Sequence, residues 1–128
     1  MAQYADIIEI IAPSEAVSDS RVNITVRVKN THSAPIGVRV EATLDYGVSP
    51  QPGVIFPTDW ANIDAQAVWP FSGYFYMPSQ KVTIRAKSFW YGADGAWYAD
   101  DEMTKTVNVG SSGQPIISDF RIADFIKV

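Results

Sequence analysis

Arg21-Val22-Asn23-Ile24-Thr25-Val26-Arg27-Val28-Lys29 alternates polar and apolar side chains without an error. A period of two places Val22, Ile24, Val26 and Val28 on one face and the polar residues on the other, the pattern of a strand buried on one side. After the turn-like Asn30-Thr31-His32-Ser33-Ala34-Pro35, the run from Ile36 to Leu44 repeats it, with Ile36, Val38, Val40, Ala42 and Leu44 facing inward. These two strands are expected to pair through that loop.

Further along, Tyr46 to Thr58 contains Pro50, Pro52 and Pro57 with Gly47 and Gly53. Prolines cannot donate to a ladder, so this segment reads as a long loop with one edge strand at most. Trp60 to Trp69 alternates weakly, with Ala61, Ile63, Ala65 and Ala67 on one side, and Phe71 to Met77 reads as a short strand ended by Pro78. Trp60 and Trp69 are expected to anchor the core. From Lys81 to Val109, two strands flank Gly92-Ala93-Asp94-Gly95, a hairpin turn by composition. With those residues as the loop, Trp90 faces Trp97, Phe89 faces Tyr98, Lys87 faces Asp100 and Arg85 faces Glu102, so aromatics and opposite charges meet across the ladder. The same register sets Asp101 and Lys105 on the face of Val82, Ile84, Met103 and Val107, a conflict that a bulge near Asp100 would relieve.

No stretch keeps a helical period with caps. About seven short strands between Gly, Pro, Asn and Ser turns predict an all-β, immunoglobulin-like antiparallel β-sandwich with a C-terminal strand-forming tail; a jelly roll or small barrel is the alternative. The expected organisation is a sandwich over 1–109, a linker over 110–115 and a tail over 116–128.

At 128 residues, 47% apolar and 19% charged, the chain suits one domain with one core, and it is too apolar for a disordered tail. A net charge of −4 spread along the sequence gives no footprint for nucleic acid. With no cysteine, the core must be stable by packing alone. No run is long enough for membrane insertion, and the N-terminal stretch, with Asp6 and Glu9, lacks the basic region of a signal peptide.

After the linker Gly110-Ser111-Ser112-Gly113-Gln114-Pro115, the chain ends in a second apolar segment. Its last six residues, Ala123-Asp124-Phe125-Ile126-Lys127-Val128, repeat the pattern of Ala5-Asp6-Ile7-Ile8-Glu9-Ile10. The tail is the last strand of the same sandwich, the start of a further module, or a strand that adds to the sheet edge of a neighbouring copy. In the third case Ile116, Ile117, Phe120, Ile122, Phe125, Ile126 and Val128 carry self-assembly, and the partner is another copy or a neighbouring β module.

Two pieces resemble known modules. VNITVRVKNTHSAPIGVRVEATL, Val22 to Leu44, resembles the strand-turn-strand core of CARDB-like (cell-adhesion-related) domains. SGYFYMPSQKVTIRAKSFWYGADGAWYADDEMTKTVNV, Ser72 to Val109, is similar to the C-terminal half of immunoglobulin-like modules of microbial and viral surface proteins, with Phe75-Tyr76-Met77-Pro78 and Val82-Thr83-Ile84 carrying the match. The resemblance implies a noncatalytic structural or surface module, extracellular, on a cell surface or in a virion, and transfers no active site.

Chemical motifs point the same way. The single His32 lies in a loop, without the second His or Cys that a catalytic pair or transition-metal cluster needs. Neither Gly-x-Ser-x-Gly nor a phosphate-binding glycine motif occurs. Asp94, Asp100, Asp101 and Glu102 are hard oxygen ligands that could hold calcium in a loop; their spacing matches no EF-hand pattern, and Asp94-Gly95 is what a tight turn prefers in any case. No cofactor is expected. Phe89, Trp90, Tyr91, Trp97 and Tyr98 at the hairpin tip form a candidate contact for a partner or a glycan, against which stands plain cross-strand packing. The expected function is a structural and assembly module; a carbohydrate-binding or adhesion domain is the alternative.

Overall fold

The computed structural model describes residues 3–110. Among the described residues there are eight strands and no helix. In chain order they are β1 (Ala5–Ile11), β2 (Glu15–Ala16), β3 (Arg21–Asn30), β4 (Ile36–Asp45), β5 (Ala61–Ile63), β6 (Val68–Tyr76), β7 (Val82–Tyr91) and β8 (Trp97–Val109). A three-stranded sheet, β1-β3-β6, packs on a five-stranded sheet, β2-β8-β7-β4-β5. The inward residues of β3 and β4 are buried as their alternation predicts, and Ile84, Val82, Phe71 and Phe75 complete the same core. Each such large side chain contributes about 1.5–3 kcal/mol by leaving water.

The expected pairing of the two alternating strands does not form. β3 pairs with β1 and β6, whereas β4 pairs with β5 and β7. Both strands carry one apolar face, and these faces oppose each other across the core, so the loop between them arches from sheet to sheet. Asn30, fully buried at the end of β3, holds the arch. Its amide nitrogen donates to the carbonyls of Ala34, Ile63 and Asp64, and its oxygen accepts from the His32 amide.

The weak alternation after Trp60 is interrupted rather than continuous. Ala61 and Ile63 are buried on β5, but Gln66 takes a left-handed φ of 65°, and a turn closed by the Ala67 amide on the Asp64 carbonyl leaves Ala65 exposed. Trp60 and Trp69 are not core anchors: they are 51% and 40% exposed. Trp60 stands before the three-residue edge strand β5 and packs beside Trp97, and Trp69 lies near the start of edge strand β6. The proline-rich loop also does more than connect. The Val54 amide donates to the Ala42 carbonyl on β4, and Ile55 exchanges two backbone bonds with Tyr74 on β6, so the segment spans both sheets. Gly73 leaves room for this crossing, because a Cβ there would stand 2.8 Å from the Phe56 ring and 2.9 Å from the Ile55 carbonyl.

The β7–β8 hairpin forms with a register one residue from the expected one. Gly92 donates to the Ala96 carbonyl and Gly95 to the Gly92 carbonyl, with Gly95 at a φ of 84°. The loop is therefore Ala93-Asp94-Gly95, a turn followed by a left-handed glycine. Tyr91 faces Trp97, Trp90 faces Tyr98 and Phe89 faces Ala99. Beyond Ser88 the register shifts again, to Lys87 opposite Glu102, because Ser88 opposes both Asp100 and Asp101. Asp101 stays on the side of Met103 and Lys105, but its carboxylate meets the edge strand β1 instead of the apolar core, and Lys105 is exposed. Arg85 faces Thr104 and reaches Glu102 as a diagonal ion pair at 2.6 Å.

Candidate functional site

Two regions concentrate polar or aromatic chemistry, and both follow from the β7–β8 register. The first is the bulge. β1 is an edge strand, bonded to β3 on one side only, so amides on its other side and just ahead of it need partners. Asp100 supplies them: its carboxylate accepts from the amides of Gln3 at 2.5 Å, Tyr4 at 2.8 Å and Ala5 at 2.7 Å. Asp101 accepts from Ile7 at 2.9 Å. Ser88, fully buried, donates to the Ala5 carbonyl at 2.6 Å and accepts from the Asp101 amide at 3.0 Å. Two acids of one sheet thus clamp the edge strand of the other.

The clamp gathers negative charge. Burial raises the Asp6 carboxyl above the usual aspartate range; its hydrogen bond to the Asp101 carboxyl and the charges of Asp101 and Asp100 raise it further, against an opposing pull from Lys29. The acids are committed to backbone amides, and among the described residues no group of three or more His, Asp or Glu is placed to hold a metal ion. Asp94, by contrast, serves its own turn. Its carboxylate accepts from the Tyr98 hydroxyl and the Ala96 amide, which hold it below the usual range, and the same contact raises the Tyr98 phenol.

The second region is the aromatic hairpin end, and the strand alternation divides it. Trp90 and Tyr98 lie on one side, stacked with centroids 4.9 Å apart, and Tyr4 meets Trp90 edge-on at 4.9 Å. His32, half-buried in its loop, packs against Tyr4 at 4.6 Å. Phe89, Tyr91 and Trp97 lie on the other side, the outer face of the five-stranded sheet. Trp60 joins them there, its centroid 6.3 Å from that of Trp97, while Tyr91 and Trp97 are 5.0 Å apart.

Gly37 makes the outer cluster possible: a Cβ there would lie 3.3 Å from the Tyr91 Cβ and 3.5 Å from the Trp60 ring. Arg39, paired with Glu41 at 2.7 Å, extends its guanidinium towards Phe89 and Trp97, at 5.5 and 5.8 Å from their centroids. Arg39, Asp59, Trp60, Tyr91 and Trp97 line an open cleft of about 550 Å³. The sequence reading missed Trp60, Arg39 and Asp59 as members of this site. The signal was present in part, as an aromatic or Arg on outward positions of β4, β7 and β8, but the partnership of β4 with β7 was needed to assemble it. The assembly residues Ile116, Ile117, Phe120, Ile122, Phe125, Ile126 and Val128 lie outside the described residues.

No protein-family model matches this sequence. No curated protein matches it either. Solved structures do share its fold. A CARDB domain from Pyrococcus furiosus, in complex with di-metal ions, matches with a TM-score of 0.53 and 13% identity, over 86% of this chain and 92% of that one. A PKD domain of an M14-like peptidase from a Thermoplasmatales archaeon matches at 0.50 and 14%, over 87% and 100%. An alkylpurine DNA glycosylase from Pseudomonas fluorescens, bound to DNA containing an abasic site analogue, matches at 0.59 and 13%, over 84% of this chain and 31% of its own. This chain thus spans less than a third of the glycosylase's length. At such identities the likeness is one of fold: the chain is an immunoglobulin-like β-sandwich with CARDB and PKD domains among its structural neighbours.

Proposed function

We propose that this chain is a noncatalytic structural module of a virion, extracellular filament or cell surface, assembled by addition of its C-terminal segment to the sheet of a neighbouring copy. The observation that supports this reading is the register of β1. An irregularity between Ile7 and Glu9 lets Ile7 and Ile10 both enter the core although they stand three residues apart, with Ala5 buried ahead of them. A regular strand would bury positions two or four apart. Ala123, Phe125 and Val128 repeat this uneven spacing. The tail therefore copies the positions of β1 that fill the core, with its charged Lys127 at the position of exposed Glu9.

In this reading the tail takes the place of β1 beside β3 of the next copy, and the contact is head-to-tail. Light scattering after size exclusion tests it on the full chain and on a chain ending at Gly113. A multimer that becomes a folded monomer on truncation supports the reading; monomers in both cases overturn it. A second test uses the absence of native cysteine. Asp6 stands opposite Lys29, so Asp124→Cys with Lys29→Cys is expected to form a disulfide between chains. A disulfide found only within one chain would return the tail to its own sandwich.

A further inference from the structure

The outer cleft carries an inference independent of how the chain assembles. Trp60 and Tyr91 are 51% and 48% exposed, on a face where no other element among the described residues covers them. Rings left in water beside one another mark a contact site more often than a packing accident. Their arrangement restricts the ligand. Trp60 and Trp97 are inclined at 61°, and Tyr91 and Trp97 at 60°, at centroid distances of ring-to-ring contact. The rings therefore touch one another and form a ridged wall. They leave no slot for intercalating a flat aromatic ligand and no box for a quaternary ammonium, whose cation must sit among several ring faces.

Charge narrows the choice further. Arg39 would repel a cation brought to the wall, and its own charge is already answered by Glu41. Asp59 lines the same cleft, has no ion-pair partner among the described residues, and would repel an anion. A neutral ligand with one apolar face and a rim of hydroxyls satisfies all of these groups. Its C–H face rests on indole, a carboxylate accepts from neighbouring hydroxyls, and a guanidinium donates to others in a fixed fork. The cleft, at about 550 Å³, lies within the range of small-molecule sites.

We propose that this cleft binds a neutral pyranose saccharide, with the sugar's apolar face on Trp60 and Trp97 and its hydroxyls on Arg39 and Asp59. Binding of maltohexaose, cellohexaose and mannohexaose to the full chain, followed by tryptophan fluorescence and calorimetry, tests it, with sialyllactose and tetramethylammonium chloride as charged comparators. At least one neutral oligosaccharide is expected to bind in the millimolar range or tighter, and better than either comparator. Trp60→Ala, at an exposed position, is expected to weaken it about tenfold, the effect of losing a central aromatic contact. Asp59→Asn weakens it less, and Trp69→Ala, on the other sheet, leaves it unchanged. No binding by any neutral sugar overturns the proposal, as does binding that survives Trp60→Ala. Preference for tetramethylammonium would make the wall a cation site instead.

Discussion

Asn30 and Asp6 show how single polar residues set the terms for the core around them. Asn30 gives up all contact with water and is repaid by bonds to three carbonyls and one amide, from the arch that follows it and from the end of β5. Asn30→Ala strands those groups, and a loss of about 2–3 kcal/mol is expected in urea unfolding. Asp6 acts in the opposite sense. Its folded carboxyl holds a proton more tightly than an ordinary aspartate because of burial and the neighbouring Asp101 and Asp100. The folded state therefore gains stability from protonation, fully below the ordinary aspartate range, and loses it as pH climbs through the raised folded value. Asp6→Asn, which cannot ionise, is expected to melt higher than the native chain at neutral pH and level with it in acid, as thermal scans across that range would show. In the sequence Asn30 read as part of a turn, since nothing in a single Asn tells a solvated loop from a buried arch.

Strand faces were legible in the sequence, and strand partners were not. Alternation identifies which residues of β3 and β4 are buried, because that depends on each strand alone; which edge meets which depends on the loop, and a five-residue connection serves a hairpin or an arch alike. Register was similarly underdetermined at the β7–β8 turn. Pairing Gly92 with Ala96 moved the facing pairs between the turn and the bulge by one residue, which placed Trp97 beside Tyr91 on the outer face and Trp90 with Tyr98 on the other. The bulge near Asp100 was readable from the clash of acids with a core face, but not its use as a clamp on β1. Asp100→Ala removes the acceptor for three amides and is expected to destabilise the fold by about 2 kcal/mol. Hydrogen exchange would locate the effect: the amides of Ala5 and Ile7 lose protection ahead of those in β7, whose ladder is intact.

At the scale of the molecule, the two sheets and single core of the described residues hold together without a disulfide, and the candidate sites lie at their margins: an aromatic wall on one outer face and an acid clamp at one edge. The sandwich itself was readable because strand count, turn spacing and alternation agree; the wall was not, because it joins β4, β7, β8 and the residues before β5. If tails exchange between copies, Lys127 takes the position from which Glu9 pairs with Arg27 at 2.9 Å. Lys127→Glu would restore that ion pair between chains, and a modest tightening of assembly is expected in dilution series by light scattering, lost in high salt, since an exposed pair contributes about 0–1 kcal/mol. The clamp also sets an order of events during synthesis. Its bonds join residues 94 to 97 positions apart, so β1 emerges from the ribosome long before its second set of partners. Until Asp100 and Asp101 arrive, β1 has only β3 to hold it, and contacts of such long range form late. The N-terminal strand of a nascent chain is thus the part of this domain most open to competition, and the order of translation itself favours the moment at which a strand from another copy could take its place.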